Sequence, residues 1–142
     1  MQTFLPEGTY TTDIGQLQQD YITSLLTLDR QRLGKQRLEA MQLINSIYKL
    51  MDNPNAKVGW ANHPARKMWV DYIPALKLYH NCSIACWISK GYNNTMVKYD
   101  ITDPIVIPFW HGDQRLHASH RSNLLRKDFS FYSSFGWSES PD

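Results

Sequence analysis

The sequence predicts an all-α fold: a compact single domain of helices joined by long irregular loops. Three observations carry this. Apolar residues recur at helical spacing at Ile14, Leu17, Tyr21, Leu25 and Leu28, and again at Ala40, Leu43, Ile44, Ile47 and Leu50. Asp13 and Asp29 stand just before these stripes, where a carboxylate can accept the free amide hydrogens of a first helical turn. The β-branched run Ile105-Val106-Ile107 is closed off by Pro104 and Pro108, which leaves room for one short strand at most.

Taken in order, Met1 to Pro6 reads as an extended start whose Phe4 and Leu5 tuck against the body, and Gly8 and Thr9 mark a turn. Thr11, Thr12 and Asp13 offer an N-cap for a helix through about Leu28. Asp29 caps a second helix to about Met51. Gly34 lies inside it and costs roughly 1 kcal/mol against alanine, so close approach of another backbone or of a ligand is expected there. Asp52 to Gly59 is a loop by its Asn, Pro and Gly content. Asn62 or His63 precedes Pro64 at the start of a short helix, Ala65 to Tyr72. Pro74 opens a longer helix to about Lys90, with Ile73, Leu76, Tyr79, Ile84, Trp87 and Ile88 inward, and Gly91 stops it. Tyr92 to Trp110 is mostly irregular. Asp113 to Lys127 is a last helix with Leu116, Leu124 and Leu125 inward. Arg115, His117, His120, Arg121, Arg126 and Lys127 form its polar complement. Phe129 to Trp137 is aromatic and Ser-rich, and the end from Ser138 is expected to fray.

A chain of 142 residues with 42% hydrophobic content suits one domain, residues 1–142. Net charge is only +2, so any polyanion binding must come from local patches. No apolar window of about 18 residues exists, which argues against a membrane partner. The N-terminus lacks the layout of a secretion signal. The two cysteines, Cys82 and Cys86, are four apart and would share a helix face, which reads as reduced core thiols in a cytoplasmic protein. No second cysteine pair completes a zinc site with them and His80, and His117 and His120 lack a completing carboxylate, so no metal and no cofactor is expected. There is no G-x-S-x-G, no P-loop and no dinucleotide fingerprint. His120 beside Arg121 suits phosphate better than zinc.

The most charged stretch is Asp29 to Glu39, with Arg30, Arg32, Lys35, Arg37 and the amides Gln31 and Gln36. Folding alone does not require so many guanidinium groups, and a polyanion partner would explain them. Glu39 closes the run. A lone carboxylate among cations is either charge balance or a general acid/base kept ionised by its neighbours, and composition admits both.

Arg30-Gln31-Arg32-Leu33, then Gly34, then Glu39, resembles a helix of the phage endonuclease V-like family of pyrimidine-dimer DNA glycosylase/lyases. In that family a similar Arg-Gln-His-Leu run leads without a gap to a catalytic Glu. Trp69 to Asn93 is similar, ungapped, to the family's later helix, keeping Asp71, Leu76, Ile84-Ala85, Gly91 and Asn93. The opening Met-Gln-Thr-Phe-Leu-Pro, the stretch His63-Pro64-Ala65 through Met68-Trp69, and Ser119 to Lys127 look like a bacterial and phage subfamily.

The resemblance implies a helical fold and a specific chemistry. A free N-terminal amine attacks C1′ of a flipped-out damaged nucleotide, a Schiff base forms, the base leaves, and the strand breaks by β-elimination. An α-amine suits this because its pKa near about 8 leaves an unprotonated fraction at neutral pH. The Glu's role maps to Glu39. Arg30, Arg32, Lys35, Arg37, Arg121, Arg126 and Lys127 would hold phosphates of duplex DNA, and Gln2, His63, Arg66, His117, His120 and Asn123 complete the candidate contacts. The family enzyme exposes Thr after removal of Met. Here the bulky Gln2 implies that Met1 is retained, so the nucleophile would be the amine of Met1. The family's His is Arg32, and its Arg before the Glu is Leu38, with the nearest Arg37 on another helix face. The expected protein is thus a monomeric base-excision glycosylase, with possible lyase activity, in a bacterial or phage-infected cell. The alternatives are a non-catalytic DNA-binding module on the same fold, or a hydrolase of free nucleotides or nucleosides using His120 and Arg121.

Overall fold

The computed structural model describes residues 2–141. Among the described residues six α-helices follow one another: α1 (Ile14–Leu26), α2 (Arg30–Asp52), α3 (Pro64–Trp69), α4 (Ile73–Ser89), α5 (Gln114–Lys127) and α6 (Phe129–Tyr132). A 3₁₀ turn, Ser133–Phe135, comes last. No strand occurs among the described residues, so the Ile105-Val106-Ile107 run is irregular.

Local chemistry sets the helix ends. Asp13 accepts from the Gly15 amide at 3.1 Å and Asp29 from the Arg32 amide at 3.4 Å. Asp113 does the same for Arg115 at 3.0 Å. Gly91 ends the α4 region with φ +85°, a conformation that L side chains rarely adopt.

α4 lies between α1 and α2 and packs on both. It is buried on nearly every side, through Ala75, Leu76, Leu78, Tyr79, Cys82, Ile84 and Cys86 among others. The apolar half of α2 meets it with Leu33, Ala40, Leu43, Ile44 and Ile47. Each such side chain contributes roughly 1.5–3 kcal/mol on burial. Both thiols are free and buried, and burial pushes Cys82 up to about 12.

Three expectations are corrected. The close neighbour of Gly34 is not another backbone: a Cβ there would stand 3.1 Å from the indole of Trp87, so α2 and α4 approach through an aromatic face. Ile88 is not inward but half-exposed, while Cys86 and Trp87 of the same turn pack in or against the core. The C-terminal end is not frayed from Ser138. Arg121 grips Glu139 at 2.6 Å, and Ser122 donates to the Ser140 carbonyl at 2.5 Å. Before that, Tyr132 is fully buried and its hydroxyl donates to the Asp29 carboxylate, which ties α6 to the start of α2.

Candidate active site

The site is organised by the extended N-terminal segment. Residues 2–9 have no strand neighbour, yet Thr3, Phe4, Leu5 and Pro6 are buried. Their backbone groups therefore need side-chain partners. Gln36 of α2 accepts from the Phe4 amide at 3.0 Å and donates to the Gln2 carbonyl at 2.8 Å, bridging two residues of the strap with one amide. Those two contacts fix which end of the Gln36 amide is oxygen. Tyr79 of α4 places its hydroxyl 2.7 Å from Gln36 Oε1 and 2.8 Å from the Phe4 carbonyl. His120 Nδ1 accepts from the Leu5 amide at 2.8 Å, and His117 Nδ1 donates to the Leu5 carbonyl at 2.7 Å. Arg121 holds the Pro6 carbonyl at 2.6 Å, Ser24 holds Glu7, and Asp20 holds Thr9. A side chain on Gly8 would lie 2.2 Å from His117 Nε2, so the strap passes that ring as bare backbone.

The strap delivers its N-terminal end to Glu39. The Gln2 amide donates to Glu39 Oε2 at 3.1 Å, and Gln36 Nε2 lies 3.4 Å from the same oxygen. Arg32, Lys35, Gln36 and Glu39 share one α2 face by their spacing of three and four. They line a cleft of about 210 Å³ with Gln2, Phe4, Gln31 and, from the end of α5, Lys127. Arg32 pairs with Asp29 at 3.1 Å. Lys35 and Lys127 are exposed and form no ion pair among the described residues. Glu39 forms none there either, so its carboxylate faces the strap rather than balancing a neighbouring cation. Met1, the other expected catalytic group, lies outside the described residues.

The remaining candidates separate into three groups. Arg30 and Arg37 lie on another flank of α2, over the rings of Tyr92 at 4.7 Å and Trp87 at 4.3 Å. Arg126 donates to Asn123 at 2.6 Å, and Asn123 to the Gln2 side chain at 2.7 Å, so these two support the strap's first described residue. His63 caps α3 by accepting from the Ala65 amide at 3.1 Å, and Arg66 holds the Ala61 carbonyl at 2.6 Å.

His117, His120 and Arg121 depart from the expected polar face of the last helix. His117 is 0% and His120 5% exposed, because both rings replace a missing strand neighbour. The guanidinium of Arg121 is taken by Pro6 and Glu139. Gln36, only 1% exposed, was not among the expected site residues. Its signal was available: an amide three residues before Glu39 and three after Leu33, hence on the seam between the polar and buried faces.

Burial lowers the pKa of His120 to about 4, with His117 adding a smaller depression. The His117 value is lowered chiefly by burial too. The folded state then binds fewer protons than the unfolded state between the ordinary histidine value of about 6.5 and about 4. Stability is full above that window and falls as pH drops through it, by up to about 1.4 kcal/mol per pH unit for His120. Chemical denaturation at pH 7 and pH 4.5 should show this loss, and His120→Asn should flatten the slope. An unchanged slope in the variant would place the acid sensitivity elsewhere.

No group of three or more His, Cys, Asp or Glu among the described residues could hold a metal ion, and no described helix is long and apolar enough to cross a membrane. The profile of a family described as pyrimidine dimer DNA glycosylase matches residues 1–100. No curated protein and no solved structure matches the chain. The matched stretch holds the strap, the whole of α2 with Glu39, and α4 with Tyr79, every part of the cleft but Lys127, and by this match the chain belongs to the pyrimidine dimer DNA glycosylase family.

Proposed function

We propose that this protein excises damaged or modified pyrimidines from duplex DNA through its N-terminal amine and Glu39, and that it can go on to cut the abasic strand. The observation that carries the reading is the 3.1 Å contact between the Gln2 amide and Glu39 inside a cleft rimmed by Arg32, Lys35 and Lys127. One peptide bond leads from that nitrogen to the residue whose amine is required.

In this mechanism the amine lone pair attacks C1′ of the sugar and the bond from C1′ to the base breaks. The base leaves with the electron pair and takes up a proton. Opening of the sugar ring, with O4′ taking the proton that the amine shed to Glu39, gives a protonated imine, a cation that the Glu39 carboxylate stabilises. Loss of a proton from C2′ then expels the 3′ phosphate. Glu39 takes up the protons shed by the amine and by C2′. Lys35 and Lys127, without protein ion partners among the described residues, are free to meet the flanking phosphates.

A borohydride trap tests this. The protein is mixed with labelled duplexes carrying an abasic site, a pyrimidine dimer or an oxidised pyrimidine, and then reduced. A covalent adduct is expected that disappears when the N-terminus is blocked, and mass spectrometry of the adduct locates the modified amine. Binding without an adduct on any duplex would remove the amine mechanism and leave a DNA-binding module.

A further inference from the structure

The face of α2 that carries Glu39 continues past it. Seven residues on, about 10 Å along the helix axis, it reaches Ser46, with Gln42, Asn45 and Lys49 beside it. These four, with Lys57 and Trp60 of the loop before α3, line a pocket of about 440 Å³. That volume is in the range of small-molecule sites. No residue lines both this pocket and the Glu39 cleft, and no Asp or Glu lines it.

Ser46 is 4% exposed, and its hydroxyl has no hydrogen-bond partner among the described residues. Three other helix serines return their hydrogen to a carbonyl three residues back: Ser83 to His80 at 2.5 Å, Ser89 to Cys86 at 2.7 Å and Ser119 to Leu116 at 2.6 Å. Ser46 does not, so a buried hydroxyl stands unpaired in the pocket wall, at a cost to folding. Two exposed lysines, Lys49 and Lys57, line the same pocket and form no ion pair among the described residues. The side-chain amides of Gln42 and Asn45 add donors. The buried Trp60 supplies an apolar wall.

We infer that this pocket binds a phosphate monoester that carries a planar ring: a phosphorylated nucleotide unit, either a free nucleoside monophosphate or the phosphorylated end of a strand. The phosphate oxygens accept from the Ser46 hydroxyl and from the two ammonium groups, and the ring lies against Trp60. A monoester carries nearly two negative charges at neutral pH where a backbone diester carries one, so a pair of lysines favours the terminal group. A bare phosphate would leave most of the 440 Å³ unfilled. The site is independent of the chemistry at Glu39, since the two pockets have no residue in common.

The test is an NMR titration of the full chain at pH 7.5 with thymidine monophosphate, thymidine or inorganic phosphate. The monophosphate should shift the Trp60 indole N–H and the amides around Ser46 and Lys57 saturably, with thymidine at least about tenfold weaker, the scale of a charge-assisted hydrogen bond. Ser46→Ala should weaken the monophosphate about tenfold while leaving the melting temperature unchanged or higher, because it removes an unpaired buried hydroxyl from a helix. A serine with a purely structural role would lose stability and leave the affinity alone. Lys49→Gln/Lys57→Gln, at exposed positions, should abolish the shifts. A blunt duplex with 5′ phosphates is compared with the same duplex ending in 5′ hydroxyls. Trp60 shifts with the free monophosphate identify a nucleotide site, and shifts confined to the phosphorylated duplex identify a strand-end site. Equal shifts with both duplexes would make the pocket a contact for backbone diesters, and that result, no saturable shift at Trp60, or a Ser46→Ala affinity equal to the parent's, would overturn the inference. The titration needs no turnover, so a chain that gives no borohydride adduct still gives a readable result.

Discussion

Replacing Glu39 by Gln is expected to leave duplex binding intact and to lower adduct formation and strand cleavage by about 10²–10⁴-fold, the range for loss of a positioned general acid/base. The amide is isosteric, so the hydrogen bond from Gln2 at 3.1 Å can persist. Under the proposed mechanism the variant lacks the negative charge assigned to stabilising an iminium cation and the basic oxygen assigned to taking up a proton. Binding should survive because Lys35, Lys127 and Arg32 are untouched. The informative comparison is single-turnover cleavage of an abasic duplex against the dissociation constant for the same duplex. A variant that cuts at the parental rate would make Glu39 a structural acceptor for the strap and nothing more.

The second large effect is expected at Gln36. Gln36→Leu fills a similar volume but leaves the Phe4 N–H and the Gln2 carbonyl without their partners. An orphaned buried polar group costs about 1–3 kcal/mol, so a loss of about 2–4 kcal/mol is expected, with a melting temperature lower on the order of 10 °C. Activity should fall further than stability explains, since a strap released at residues 2–4 no longer holds its end at Glu39. Measuring the trap at a temperature where the variant is fully folded separates the two contributions. Parental adduct yield under those conditions would show that Tyr79 and His120 position the strap without Gln36.

Much of the helical framework was legible in the sequence because its causes are local. Asp13 and Asp29 cap within three residues, Gly91 relieves a left-handed turn, and the stripes of α1 and α2 repeat every three to four positions. The Glu39 face was equally readable, since Arg32, Lys35 and Glu39 are brought together by helix geometry alone. α4 was harder. A helix buried on nearly all sides has no polar face to orient it, and Ile88 was therefore set on the wrong side.

The last helix shows where local information ends. By composition it is polar, and its histidines and Arg121 read as a surface. The groups they satisfy lie 115 and 112 residues away at Leu5 and 115 away at Pro6, a separation that no periodicity records. An isolated extended segment buried without a strand neighbour must draw its partners from whatever side chains the fold brings over it. The sequence by itself determined the helices and the chemistry carried on one face of α2. The tertiary structure alone decided that His117, His120, Arg121 and Gln36 hold the strap, and that the strap ends at Glu39, because unsatisfied backbone groups select their partners by proximity in space and not along the chain.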